Sequence, residues 1–214
     1  MAGSDEADVT EHWFLRRRLL RLTGMGFVAL SATSAHVFAR ELAGTVADVR
    51  GEAFAEAQQE RRKLENTAAV FLADEVSTAA ASRLAIHLGT DTTVRLGELA
   101  RLTIDRTIEN AGGDLTLTSG PLLYDRMPGA GPRPLSIRSS FGLIVVRGTR
   151  FFAGPSADVF GVFVQRGRVA VRAAGQEVIL GQGEGTNIAH PGDAPTPPSP
   201  WQQPRIDAAF ESVN

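Results

Sequence analysis

From Leu42 onward, apolar residues fall at every second position in short runs. "LAIHLG" (84–89) sets Leu84, Ile86 and Leu88 on one side and His87 on the other. "TVRLGE" repeats the pattern with Val94 and Leu96, "RLTIDRTI" with Leu102 and Ile104, and "DLTLTSG" with Leu115 and Leu117. A period of two is the mark of a strand with one buried face. Turn residues interrupt the runs every ten or so positions. "NAGGD" (110–114) reads as a hairpin loop, and "VFGVFVQRGRVAVR" (159–172) reads as a second hairpin with Arg166-Gly167 at its tip. "QEVILGQGEGTNI" (176–188) adds a final strand and a glycine-rich exit. Many short strands at this spacing predict an all-β fold, an antiparallel sandwich or roll.

Two segments depart from the pattern. "EAFAEAQQERRKLEN" (52–66) holds strong helix formers and no Gly or Pro, so propensity alone predicts a helix. Its place between the strand-like "GTVADVR" and "AAVFLADEVST" predicts a strand and a turn instead. The end of the chain also changes character: Pro191, Pro195, Pro197, Pro198, Pro200 and Pro204 are six of its 11 prolines. That composition predicts an extended linker, with "RIDAAFESVN" adding a short helix and Trp201 pinning it to the domain. The expected organisation is an export segment at 1–39, a β domain at 40–190 and a Pro-rich tail at 191–214.

The N-terminus reads as an address. Arg16, Arg17, Arg18 and Arg21 form a basic block, Leu22 to Val37 is mildly apolar, and Val37-Phe38-Ala39 ends with small residues at its outer positions. This is the layout of a signal peptide with a helical apolar region, cleaved after Ala39. The order Arg16-Arg17-x-Leu19-Leu20-Arg21 resembles a twin-arginine signal, and the weak hydrophobicity around Gly24, Gly26 and Thr33 suits that route. A periplasmic or secreted protein follows. An uncleaved inner-membrane anchor is the alternative, although a spanning helix wants about 20 predominantly apolar residues.

Charge and composition narrow the function. The 214 residues carry a formal net charge of −2, and Lys63 is the only lysine among 22 basic residues. Nothing here draws the chain to nucleic acid, which requires a strongly basic face. Absence of cysteine removes disulfides, thiolate nucleophiles and Cys-based metal sites. Of the four histidines, His12 and His36 lie in the export segment, and His87 and His190 lack metal-ligand spacing. "GQGEGT" (181–186) lacks the helix and lysine of a phosphate loop and reads as a turn. No Gly-x-Ser-x-Gly elbow is present. Carboxylates such as Asp105, Glu109 and Asp125 are scattered as on any β surface. Arg61-Arg62-Lys63 reads as a solvated turn. No catalytic residue, metal or cofactor is predicted.

Against this background "VVRGTRFF" (145–152) stands out, because a glycine interrupts an apolar strand. Together with "GTV" (44–46), "DEVST" (74–78), "SRLAIHL" (82–88), "GTDTTVRLG" (89–97), "SGPLL" (119–123) and "FVQRGRVAV" (163–171), it resembles the FecR-type domain family. That family is the periplasmic module of ferric-citrate-type iron regulators. The resemblance covers about residues 42–188. It departs at Gly89-Thr90-Asp91-Thr92, where the family carries Asp-Gly-Ser/Thr. It implies that Arg147, Gly148, Thr149 and Gly167 are structural. Gly148 would permit a bulge or close backbone approach, the Thr149 hydroxyl would bond nearby backbone, and Arg147 would pair at the sheet rim.

Full-length members resemble a relay of a sigma-factor-holding cytoplasmic domain, one membrane helix and a receptor-docking piece. With 15 residues before the arginine block and 26 after Ile188, only the β module is expected here. The sequence therefore predicts a non-catalytic exported module that binds an unidentified envelope protein or glycan and acts in sensing or signalling. It would touch a membrane only through an uncleaved N-terminus. A membrane-anchored regulatory component and a small envelope hydrolase are the alternatives.

Overall fold

A computed structural model of the protein describes residues 40–108, 112–129 and 135–214. The export segment, with Arg16, Arg17 and Ala39, lies outside the described residues, as do Glu109, Asn110 and Ala111. In chain order the strands are β1 (Leu42–Arg50), β2 (Ala53–Ala57), β3 (Glu60–Lys63), β4 (Ala69–Phe71), β5 (Glu75–Thr78), β6 (Arg83–Leu88), β7 (Thr92–Leu96) and β8 (Arg101–Ile108). They continue with β9 (Gly112–Ser119), β10 (Leu122–Arg126), β11 (Leu135–Ser139), β12 (Gly142–Ser156), β13 (Val159–Ala173), β14 (Gln176–Leu180), β15 (Glu184–Ile188) and β16 (Ser199–Pro200). One helix, α1 (Gln203–Glu211), closes the chain.

β12 and β13 form a long antiparallel ribbon that belongs to two layers. Near its first end β12 pairs β11, through Leu135↔Val146 to Ser139↔Gly142. Near its second end it pairs β10, through Leu122↔Ala153 to Asp125↔Arg150. β13 divides at the same level, its Phe160–Phe163 part pairing β15 and its Val169–Ala173 part pairing β14. The first layer therefore runs β3-β2-β5-β8-β9-β11-β12-β13-β14. The second runs β4-β1-β6-β7-β10-β12-β13-β15-β16. The sheet is antiparallel throughout except for β9 and β11, which pair in parallel.

Alternation explains the core. Leu102, Ile104, Leu115, Leu117, Ile137, Ile144, Val169 and Val171 of the first layer meet Ile86, Val94, Leu96, Leu122, Tyr124, Phe151, Val162 and Val164 of the second in one buried cluster. Burying each large apolar side chain contributes ~1.5–3 kcal/mol, and most of these are fully buried.

The segment rich in helix formers is β2 and β3. Ala53 and Ala55 point into the core, and pairing with β5 outweighs alanine's helix preference. Gln58 and Gln59 join the two strands at φ 50° and 70°, the backbone of a type I′ turn. "VFGVFVQRGRVAVR" is not a hairpin. It lies within β13, and Gly167 marks an irregularity in a continuous strand. The hairpin tips fall instead at Ala157-Asp158 (φ 52° and 62°) and Ala174-Gly175 (φ 49° and 73°).

The Pro-rich tail folds back onto the second layer. Thr196 N–H donates to Asn187 O (2.9 Å), and the Thr186 hydroxyl donates to Thr196 O (2.6 Å). Trp201 then stacks on Phe163 at 5.2 Å between ring centroids. With Ala209 and Val213 it covers Leu123, Phe152 and Phe163, a second small core on the outside of that layer. These three belong to one ladder row, Leu123↔Phe152↔Phe163, continued by Gly185. A Cβ on Gly185 would lie 2.3 Å from the indole nitrogen and one on Gly161 2.7 Å from the indole ring. Gly185, read as part of a turn, is a strand residue that makes room for tryptophan. Among the described residues no helix is long and apolar enough to cross a membrane.

Candidate functional site

The ribbon changes layers at the "VVRGTRFF" step. Arg147 pairs Arg168 and Arg150 pairs Arg166, so Gly148 and Thr149 on β12 face Gly167 across an irregular register. Gly148 sits at φ 59° and Gly167 at φ 89°, conformations that cost a side-chain-bearing residue about 1–2 kcal/mol. A Cβ on Gly167 would meet Thr149 Cγ2 at 2.5 Å, whereas one on Gly148 would meet nothing within 4 Å. Gly167 is thus required by a close approach and Gly148 by its backbone angle. Such bulges let one strand serve two sheets.

Thr149 is fully buried, and its hydroxyl has no hydrogen-bond partner among the described residues. The expected bond to nearby backbone is not made. Of Arg147 only the backbone is described.

Beside the corner, Asp125 accepts hydrogen bonds from Arg150 (2.7 Å) and Arg166 (2.9 Å). Arg166 also donates to Arg126 O (2.6 Å), and buried Arg126 pairs Asp91 at 3.2 Å. Arg150 lies over the Phe210 ring at 5.8 Å. The cluster gives two arginines that stand opposite each other on the ribbon one shared carboxylate and ties the corner to α1. Tyr124, next in sequence, is pushed above its ordinary value of 10.0, chiefly by burial, against a hydrogen bond with Thr92.

Asp74 is a second buried anchor. Its carboxylate accepts from Arg40, Arg62 and Phe71 N–H, the last at 2.9 Å. "RRK" is therefore an edge strand and not a solvated turn, with Arg62 holding Asp74 and Lys63 near Glu52 (3.6 Å).

The carboxylates singled out in the sequence do not converge. Asp105 accepts from Thr116 (2.6 Å), Asp125 serves the arginines, and Glu109 lies outside the described residues. His87 is exposed and lies 3.1 Å from Thr93 Oγ1, and His190 bonds Asp193 within a local turn. Among the described residues no three His, Asp or Glu side chains are grouped to hold a metal.

What remains is a contrast between faces. The outside of the second layer carries Trp201 and α1. The outside of the first layer has no covering element among the described residues. Its ladder rows present Val145, Ala170 and Ile179 side by side, with Arg138, Arg168 and the Arg172–Glu177 ion pair around them. Ile179 is 55% exposed. At the far end of this face, Phe54, Arg61, Ser77, Leu99, Arg101 and Ser119 line a cleft of about 170 Å³. Sequence reasoning passed over it, although Phe54 alternates with inward Ala53 and Ala55 and so had to point out.

The match to known families bears on the corner directly. The family model described as FecR protein matches residues 74–170. This stretch is a FecR-type domain. It begins at the buried Asp74 anchor and ends within β13, so it takes in the whole layer-switching corner. It is narrower than the 42–188 span of the motif resemblance. The fold is similar to two crystal structures of a candidate anti-sigma factor from Parabacteroides distasonis ATCC 8503. Both give a TM-score of 0.54 at 15% identity, over 64% of this chain and 64% and 63% of theirs. The likeness thus spans less than two thirds of those proteins, and at that identity it concerns the fold of the FecR-type domain and its surroundings. No curated protein matches the chain.

Proposed function

We propose that the protein is a regulatory signalling module of the cell envelope that works by binding a protein partner and not by catalysis. The observation that carries this reading is the unequal treatment of the two outer faces. One is covered over Leu123, Phe152 and Phe163 by the chain's own C-terminus. The other leaves an apolar and cationic strip open, the composition from which partner surfaces are made. The FecR-type domain and the anti-sigma-factor description of the structural neighbours support a regulatory role. The arginine block and Ala39 support export by the twin-arginine route, which would carry the sandwich across the membrane already folded.

The test is a deletion strain of the native host followed by transcript profiling. The reading expects a discrete set of transcripts to change and the wild-type chain to restore them. A variant carrying I179E and R168E, shown to be folded, should fail to restore them. An unchanged transcript profile, or full restoration by that variant, would contradict it.

A further inference from the structure

The cleft at the far end of the open face has a built character. Leu99, at its rim, is 62% exposed and sits at φ 52°. A bulky residue in the left-handed region is a strained position that survives only where the surroundings over-determine it. Here they do. The buried Thr78 hydroxyl donates to Gly97 O (2.5 Å) and accepts from Ala100 N–H (2.9 Å). Ser119 Oγ donates to Leu99 O (3.0 Å), Leu99 N–H donates to Ala79 O (3.3 Å), and Gly97 N–H donates to Pro121 O (3.0 Å). The turn is pinned on every side, and its leucine is presented to solvent.

Across the cleft the Arg61 guanidinium lies 3.9 Å above the Phe54 ring. Its neighbours are ion-paired: Arg62 with Asp74, Lys63 with Glu52 and Arg101 with Glu75. Arg61 has no ion-pair partner among the described residues, even though Glu56 is its register partner on β2. An arginine held on an aromatic face keeps its charge and its fork of donors for a planar anion. The volume, about 170 Å³, falls below the roughly 300–1,000 Å³ of small-molecule sites. It suits one or two side chains of a larger partner.

We infer that this cleft takes an extended acidic segment of the partner protein, seating an apolar side chain against Leu99 and Phe54 with a neighbouring carboxylate on Arg61. The inference rests on the partner-binding reading above and specifies the chemistry of the partner.

The experiment is an amide-resolved NMR titration of the full chain with two probes, N-acetyl-Leu-Glu-amide and N-acetyl-Leu-Gln-amide. The glutamate probe should shift the signals of Phe54, Arg61, Leu99 and Arg101. It should bind about fivefold more tightly than the glutamine probe, the difference one exposed charge pair supports. R61Q should erase that difference and leave the melting midpoint unchanged, because the side chain is at the surface. L99N should weaken both probes yet hold or raise the midpoint, since asparagine tolerates this backbone conformation. No response at these signals, equal binding of the two probes, or a response only to the neutral sugar maltotriose would overturn the inference. A silent titration beside an intact transcript response would remove the cleft and leave the regulatory role. A positive titration beside an unchanged transcript profile would do the reverse.

Discussion

Gly167 and Gly148 do different jobs, and the difference is measurable. Gly167→Ala adds a clash with Thr149 to the cost of its backbone conformation, about 1–3 kcal/mol on top of about 1–2 kcal/mol. Gly148→Ala incurs only the second cost, because its Cβ would meet nothing. Denaturant unfolding should therefore rank G167A well below G148A, and equal losses would contradict the assignment. Thr149 offers the opposite sign. Its buried hydroxyl is unpartnered among the described residues, so Thr149→Val should raise stability by about 1 kcal/mol. A loss would mean the hydroxyl has a partner. Tyr124 is the only tyrosine, so its phenolate absorbance reports one group. Burial raises its folded value, so the native state keeps the proton longer than the unfolded chain. The stability it contributes is complete below the ordinary value near 10 and is lost as pH rises through the folded value. Titration should show a midpoint above 10 in the native protein that returns to about 10 in denaturant. An unshifted native midpoint would contradict its burial.

At the scale of elements, the C-terminal cover is separable from the main core. Trp201→Ala should cost about 3–5 kcal/mol, the range for a large buried aromatic. Gly185→Ala should act alike, because its Cβ occupies the place of the indole. Both variants should bind a hydrophobic dye and lose near-ultraviolet dichroism while keeping β secondary structure. Dye binding unchanged from wild type would contradict the packing. The same elements show what a sequence can tell. Alternation at Leu84, Ile86, Val94, Leu102 and Leu115 was enough to predict strands and their inward faces. The tip at Ala157-Asp158 was missed, and the turn expected within 52–66 was not located at Gln58-Gln59, because neither pair holds the glycine that signals such turns. Arg166-Gly167 was misread for the converse reason, since a glycine at a bulge carries the same letter as one in a turn. The seat of Trp201 was hidden because Gly161 and Gly185 are meaningful only beside a residue distant in sequence.

At the scale of the whole molecule, the ribbon from Gly142 to Ala173 holds the layers together. Motifs read one by one along the chain, from "DEVST" to "VVRGTRF", find their common purpose in its corner. The candidate site was less legible. Arg61 looked like part of a charge run, and only the fold brings it over Phe54 and across from Leu99. The proposed partner sits on the uncovered face of the first layer. The most direct measurement is photo-crosslinking in the native host, with the crosslinker placed at Ile179 or, as a control on the second layer, at exposed His87. A defined adduct is expected from position 179 and none from position 87. Adducts from position 87 alone, equal yields from both, or none at 179 would contradict it.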